Sequence, residues 1–190
     1  MSGRPRSIDR DHLLDIAEAI VATEGASGLS FGAVAKAAGI TRGGVQYAFG
    51  SRENLIRAMV DRWAAGFESR VYEGLGPDPA PQQVIRNHIR ENTVDSEADF
   101  TRSGVMITAI IQSPDLIAET RAWYNNRLAG LDFSQPADRN AAIALLASEG
   151  VFFLKSFGLI GLEGADWQQL FAGISRLAGD EGGDKDDEKR

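Results

Sequence analysis

At 190 residues with 43% apolar content, the chain is long enough for one or two domains with a buried core. It has no cysteine, which excludes a disulfide framework and a thiolate metal site and suits a reducing cytosol. There is no apolar run long enough to span a bilayer, and the arginine-bearing N-terminus has no apolar h-region; the expectation is a soluble, cytoplasmic protein with no membrane partner. A net charge of −7 argues at first against nucleic acid. Its distribution removes much of that objection: residues 1–70 hold nine Lys/Arg and eight Asp/Glu, whereas 71–190 hold eleven and nineteen.

Gly3-Arg4-Pro5-Arg6 opens the chain as a basic segment. It reads either as an unstructured terminus or as an arm whose Arg4 and Arg6 reach phosphates or a minor groove. A first helix is expected over about 9–23, with Leu13, Ile16, Ala17, Ile20 and Val21 on one face. Asp9 and Asp11 suit its N-terminal dipole, and Gly25 and Gly28 end it. Phe31, Val34, Ala35 and Ala38 then fall at i, i+3, i+4 and i+7, the stripe of a short helix. Gly39 follows where a helix commonly ends in a left-handed residue, and Thr41 can cap a further helix that buries Val45 and Phe49. Helix, glycine turn and helix over about 30–49 read as a helix-turn-helix, whose second helix can lie in the major groove of DNA. An ordinary helical hairpin is the plainer alternative.

Thr41, Arg42, Gln46 and Tyr47 fall outside the apolar stripe and can all donate to phosphates or base edges. Ser30 joins them as a candidate DNA contact. Gly43 and Gly44 are poor helix formers in a first helical turn, which suggests that something, such as a phosphate, must come close to the backbone there. Ser51 can cap a fourth, longer helix, with Glu53 suiting its dipole and Arg52 at its start, placed either to touch phosphate or simply at the surface.

Gly39, Thr41-Arg42-Gly43-Gly44, Tyr47, Phe49 and Ser51-Arg52-Glu53-Asn54-Leu55 together resemble the DNA-binding domain of TetR-family (tetracycline-repressor-like) transcriptional regulators. The resemblance covers roughly the first third of the chain. One departure is Ala48-Phe49-Gly50, where the family frequently has an aromatic residue or histidine and then proline. The resemblance implies an all-α fold of about nine helices. Residues 1–52 would form the helix-turn-helix domain, 53–178 a C-terminal effector-binding and dimerisation domain, and 179–190 a disordered acidic tail.

The rest of the chain reads as helices throughout. Leu55, Ile56, Met59, Val60, Trp63 and Phe67 form one wide stripe, and Gly74, Gly76, Pro77, Pro79 and Pro81 make the clearest break. Further helices are expected over about 81–94, 97–112, 114–130, 136–157 and 166–177. Gly104 to Ile111 is apolar on nearly every side and is expected at the buried centre. The last two helices carry surplus apolar surface and small residues, the pattern of a homodimer four-helix bundle. The resemblance likewise implies a homodimer through helices 8 and 9.

Two histidines stand far apart, and no HExxH, GxSxG, Walker or GxGxxG pattern is present, so no catalytic residue, metal or cofactor is expected. Trp63, Phe67, His88, Phe100, Met106, Ile110, Trp123, Tyr124 and Phe152 are candidates to line a pocket for a small apolar or aromatic effector; each could equally be plain core. His88 is the best polar handle and Glu149, within an apolar helix, the second, because a buried carboxylate needs a partner or a ligand cation. The expected function is a regulator, usually a repressor, that binds a palindromic double-stranded operator and answers to a small molecule. A helical adaptor that binds protein, and a regulator whose C-terminal domain only dimerises, are the alternatives.

Overall fold

The computed structural model describes residues 9–93 and 97–179. Arg4, Arg6 and the acidic tail beyond Gly179 therefore lie outside the described residues. Within them the fold is all-α, with nine helices: α1 Arg10–Gly28, α2 Phe31–Ala38, α3 Arg42–Phe49, α4 Arg52–Val71, α5 Pro81–Glu91, α6 Glu97–Gln112, α7 Pro114–Leu128, α8 Pro136–Ser156 and α9 Gly164–Leu177.

Side-chain caps set the starts of the first four. Asp9, Ser30, Thr41 and Ser51 each accept from the backbone N–H three residues on, at 3.1 Å in every case. Gly39 closes α2 in the left-handed region at φ 64°, a conformation that costs glycine nothing. Two expected boundaries move. Gly25 does not end α1 but interrupts it at φ 67° and ψ −168°, and the helix resumes to Gly28. Helix α5 stops at Glu91, short of the expected 94.

Two cores hold these helices. The first joins α1 to α4 through Leu13, Val21, Val34, Val45, Leu55 and Met59, and extends into Met106 of α6 and Leu116 of α7. The second joins α5, α8 and α9 through Ile85, Ile89, Ala144, Leu145 and Phe171. Charged side chains reinforce the seam around α4. Arg62 donates to Glu18 at 3.0 Å and to Asp15 at 2.8 Å, both on α1. Nearer the start of α4, Arg57 pairs with Glu119 of α7 at 2.6 Å. Glu68 accepts from Trp123 Nε1 at 2.5 Å and from the buried Arg127 guanidinium, both on α7.

Helix α6 corrects the expectation of a fully buried centre. Ser103 and Met106 are buried, whereas Ile107 and Ile110 are half-buried and Ile111 is 56% exposed. The cause is a cavity along one flank, where packed side chains were expected. In its first half α6 runs against the end of α8, and glycine is required: a Cβ on Gly104 would stand 2.6 Å from the Ser156 carbonyl oxygen. On the outer face of the longest helix, α8, Ile143, Leu146, Phe153 and Leu154 remain exposed, beside Leu170 and Leu177 of α9.

Gly104→Ala is expected to lower stability by about 1–3 kcal/mol, because backbone cannot rotate away as a side chain can. Gly66→Ala is the control. Its Cβ would meet only the flexible tip of Arg70 at 3.6 Å, so up to about 1 kcal/mol of gain from helix propensity is expected. Thermal and urea unfolding of the two variants compare these effects directly.

Candidate functional site

The first functional surface is the exposed side of α3. Val45 and Phe49 turn inward and are almost completely buried, which leaves Arg42, Gln46 and Tyr47 outward. Tyr47 is 87% exposed, an unusual position for a large ring unless it serves an external contact. Thr41 uses one lone pair to cap α3 and keeps its hydroxyl proton free to donate. Ser30, the exposed cap of α2, is in the same state. At Gly43 a Cβ would meet nothing closer than Thr41 Oγ1 at 3.8 Å, so internal packing does not demand the glycine.

Arg52 has a structural duty that sequence did not disclose. Its Nε donates to the Leu29 carbonyl and its Nη2 to the Ala26 carbonyl, each at 3.1 Å. It therefore ties the start of α4 to the end of α1, whether or not a phosphate also meets it.

The second site is a cavity of about 580 Å³ between α4, α5, α6, α7 and α8. Trp63 and Phe67 come from α4, His88 from α5, Ile110 from α6, Trp123 and Tyr124 from α7, and Glu149 and Phe152 from α8. All eight were expected there. Met106 was expected too and is corrected: it is 1% exposed and packs into the α1–α4 core instead. Phe100, also expected, lies behind the cavity wall, tilted on Phe152 at 5.7 Å and edge-on to Trp167 at 5.5 Å. The residues missed include Asn92, Thr120 and Phe153. Asn92 had a legible signal, since it stands one helical turn after His88.

The polar centre of this cavity is Glu149. Its Oε1 lies 2.6 Å from His88 Nε2 and accepts from Asn92 Nδ2 at 2.9 Å, while Oε2 accepts from the Tyr124 hydroxyl. Burial alone would raise the carboxyl pKa. The hydrogen bond and electrostatic attraction of His88, together with the hydrogen bonds from Tyr124 and Asn92, outweigh it, and the net direction is down from the ordinary 4.5. Burial, and then the neighbouring carboxylate, push the Tyr124 phenol well above its ordinary range, so it stays a proton donor. Edge-on Phe67 at 4.8 Å and tilted Trp123 at 5.5 Å enclose the His88 ring. Among the described residues no three histidine, aspartate or glutamate side chains converge as a metal site, and no helix is long and apolar enough to cross a membrane.

Residues 13–59 match the family described as bacterial regulatory proteins, tetR family, and residues 82–179 match the tetracyclin repressor-like C-terminal domain. The HTH-type transcriptional regulator AcrR of Shigella flexneri is 32% identical over 92 residues, 46% of this chain. That match spans only 43% of the relative's own length. Among solved structures, a TetR-family transcriptional regulator from Bordetella parapertussis superposes with a TM-score of 0.60 at 22% identity, covering 90% of this chain and 94% of the other. A candidate TetR-family regulator from Rhodococcus sp. gives 0.67 at 17% identity, with coverage of 90% and 96%. At such identities the superpositions speak for the fold.

Because the fold holds the Glu149 carboxyl below its ordinary value, its arrangement stabilises the protein above about pH 4.5. That contribution is lost as pH falls further. The stability gap between wild type and Glu149→Gln is therefore expected to be widest near neutrality and to close on acidification. Urea unfolding across a pH series checks it.

Proposed function

The chain belongs to the TetR family of bacterial regulatory proteins, and from that premise we propose a repressor that leaves a palindromic operator when a small apolar or aromatic effector fills the cavity. The observation that carries this reading is the path from cavity to DNA face along α4. Trp123, a cavity wall, is hydrogen-bonded to Glu68 near the end of α4, and Arg52 at its start is fastened to the end of α1. An effector that displaces Trp123 pulls on a helix whose other end is anchored in the helix-turn-helix core.

Repression requires two recognition helices at a fixed separation, matching half-sites about 34 Å apart or a multiple of it. TetR-family regulators dimerise. We assign the interface to the exposed faces of α8 and α9, where Ile143, Leu146, Leu154, Leu170 and Leu177 would be covered by a second copy. Tilting α4 in each protomer then changes the separation, and the effector shifts the population away from the binding-competent spacing. A C-terminal domain that served dimerisation alone would have a filled core; a cavity of about 580 Å³ favours effector control.

On α3 the assigned roles are base-edge contact for Gln46 and Tyr47, phosphate contact for Thr41, Arg42 and Ser30, and close backbone approach at Gly43 and Gly44. Arg4 and Arg6 would add phosphate or minor-groove contacts from the N-terminal arm.

The deciding experiment is fluorescence-anisotropy binding to DNA flanking the protein's own gene, over a salt series. Selective binding that weakens steeply with salt is expected. Tyr47→Ala should cost about 1–3 kcal/mol, and Arg42→Ala should weaken binding to all sequences while lowering the salt slope by about one. Unchanged binding in either variant removes that residue from the interface. Leu146→Glu should convert the dimer to a monomer in sedimentation and abolish operator binding; a Leu146→Glu dimer would move the interface elsewhere.

A further inference from the structure

The cavity is apolar without being neutral. Among the described residues, the full charges on its walls are all negative: Asp61, Glu119 and Glu149 line it, and no lysine or arginine does. Asp61 and Glu119 stand at the exposed rim, where Arg57 approaches them at 3.9 and 2.6 Å. Glu149 lies deeper and has no such cation.

The donors around Glu149 decide its charge balance. Asn92 and Tyr124 are neutral. His88 is fully buried, and its Nδ1 has no hydrogen-bond partner. Its Nε2 meets Glu149 Oε1 at 2.6 Å. Among the described residues no lysine or arginine lines the cavity beside Glu149. Oε1 already accepts twice, whereas Oε2 accepts only from Tyr124, and the side chain keeps 21% exposure where it lines the cavity. One strong acceptor position thus remains in a space walled by the rings of Trp63, Phe67 and Trp123. Aromatic faces attract cations, most strongly when water is absent.

We propose that the effector is a lipophilic organic cation, an amine whose ammonium group pairs with Glu149 Oε2 while its aromatic body lies against Trp63, Phe67 and Trp123. This rests on the reading of the cavity as the effector site. A neutral ligand of the same shape gains the apolar burial and at most a neutral hydrogen bond, and an anion meets three wall carboxylates and no lysine or arginine.

A matched series of probes tests the proposal on the full-length protein: biphenylmethylamine, biphenylmethanol and biphenylcarboxylate. Calorimetry gives affinities, and quenching of Trp63 and Trp123 reports occupancy. The amine is expected to bind about tenfold or more tighter than the alcohol, with the carboxylate weakest. Glu149→Gln should reduce the amine to the level of the alcohol while leaving the alcohol within about twofold. Equal binding of amine and alcohol to wild type overturns the proposal, and this comparison needs no variant. A tighter carboxylate, or a Glu149→Gln effect equal for amine and alcohol, overturns it too, while a bound probe keeps the cavity as a ligand site. If none of the three binds, the cavity reading itself fails and takes the proposal with it.

Discussion

Helix α4 has to satisfy two structural environments at once, and most of the architecture follows from that constraint. Its N-terminal half supplies Leu55, Met59 and Val60 to the same core as the helix-turn-helix. Its C-terminal half supplies Trp63 and Phe67 to the cavity. Twenty residues in one uninterrupted helix carry both duties, so neither environment can shift without the other registering it. The ion pairs along α4 are mostly half-exposed, and each contributes little stability by itself. Their value is geometric: Arg62 ties α4 to α1, and Arg57 and Glu68 link it to α7.

The cavity is a cost to the fold. An all-helical domain of this size could fill such a space with side chains and gain stability from the burial. Here rings line the space without closing it, and a carboxylate is held inside by three donors. Such a polar cluster is costly to bury unless every member is satisfied. Within that cluster only the Nδ1 of His88 is left without a hydrogen-bond partner.

The helix-turn-helix was legible because its signals are local. Stripe spacing, the left-handed glycine at position 39 and the capping hydroxyls at 41 and 51 all act within a few residues, and each appears where the sequence placed it. The cavity was legible in membership but not in existence. Aromatic residues at helical spacing look the same whether they fill a core or surround a void, and only the packing of five helices decides. Met106 and Ile110 illustrate the limit. They stand one turn apart on α6 and both pack against the first core, yet only Ile110 also borders the cavity, a difference that spacing does not encode. The structural tie made by Arg52 was hidden for a similar reason: its carbonyl partners lie 23 and 26 residues earlier, beyond any local pattern.

The close approach at Gly104 has a mechanical consequence. Where α6 meets α8, backbone faces backbone, and neither side has a rotamer to yield. Where α4 meets α7, the contacts include the long side chains of Arg57, Glu68 and Glu119, which have rotamers to yield. The cavity thus has one stiff wall and one more compliant wall, and a volume inserted between them would meet less resistance on the α4–α7 side.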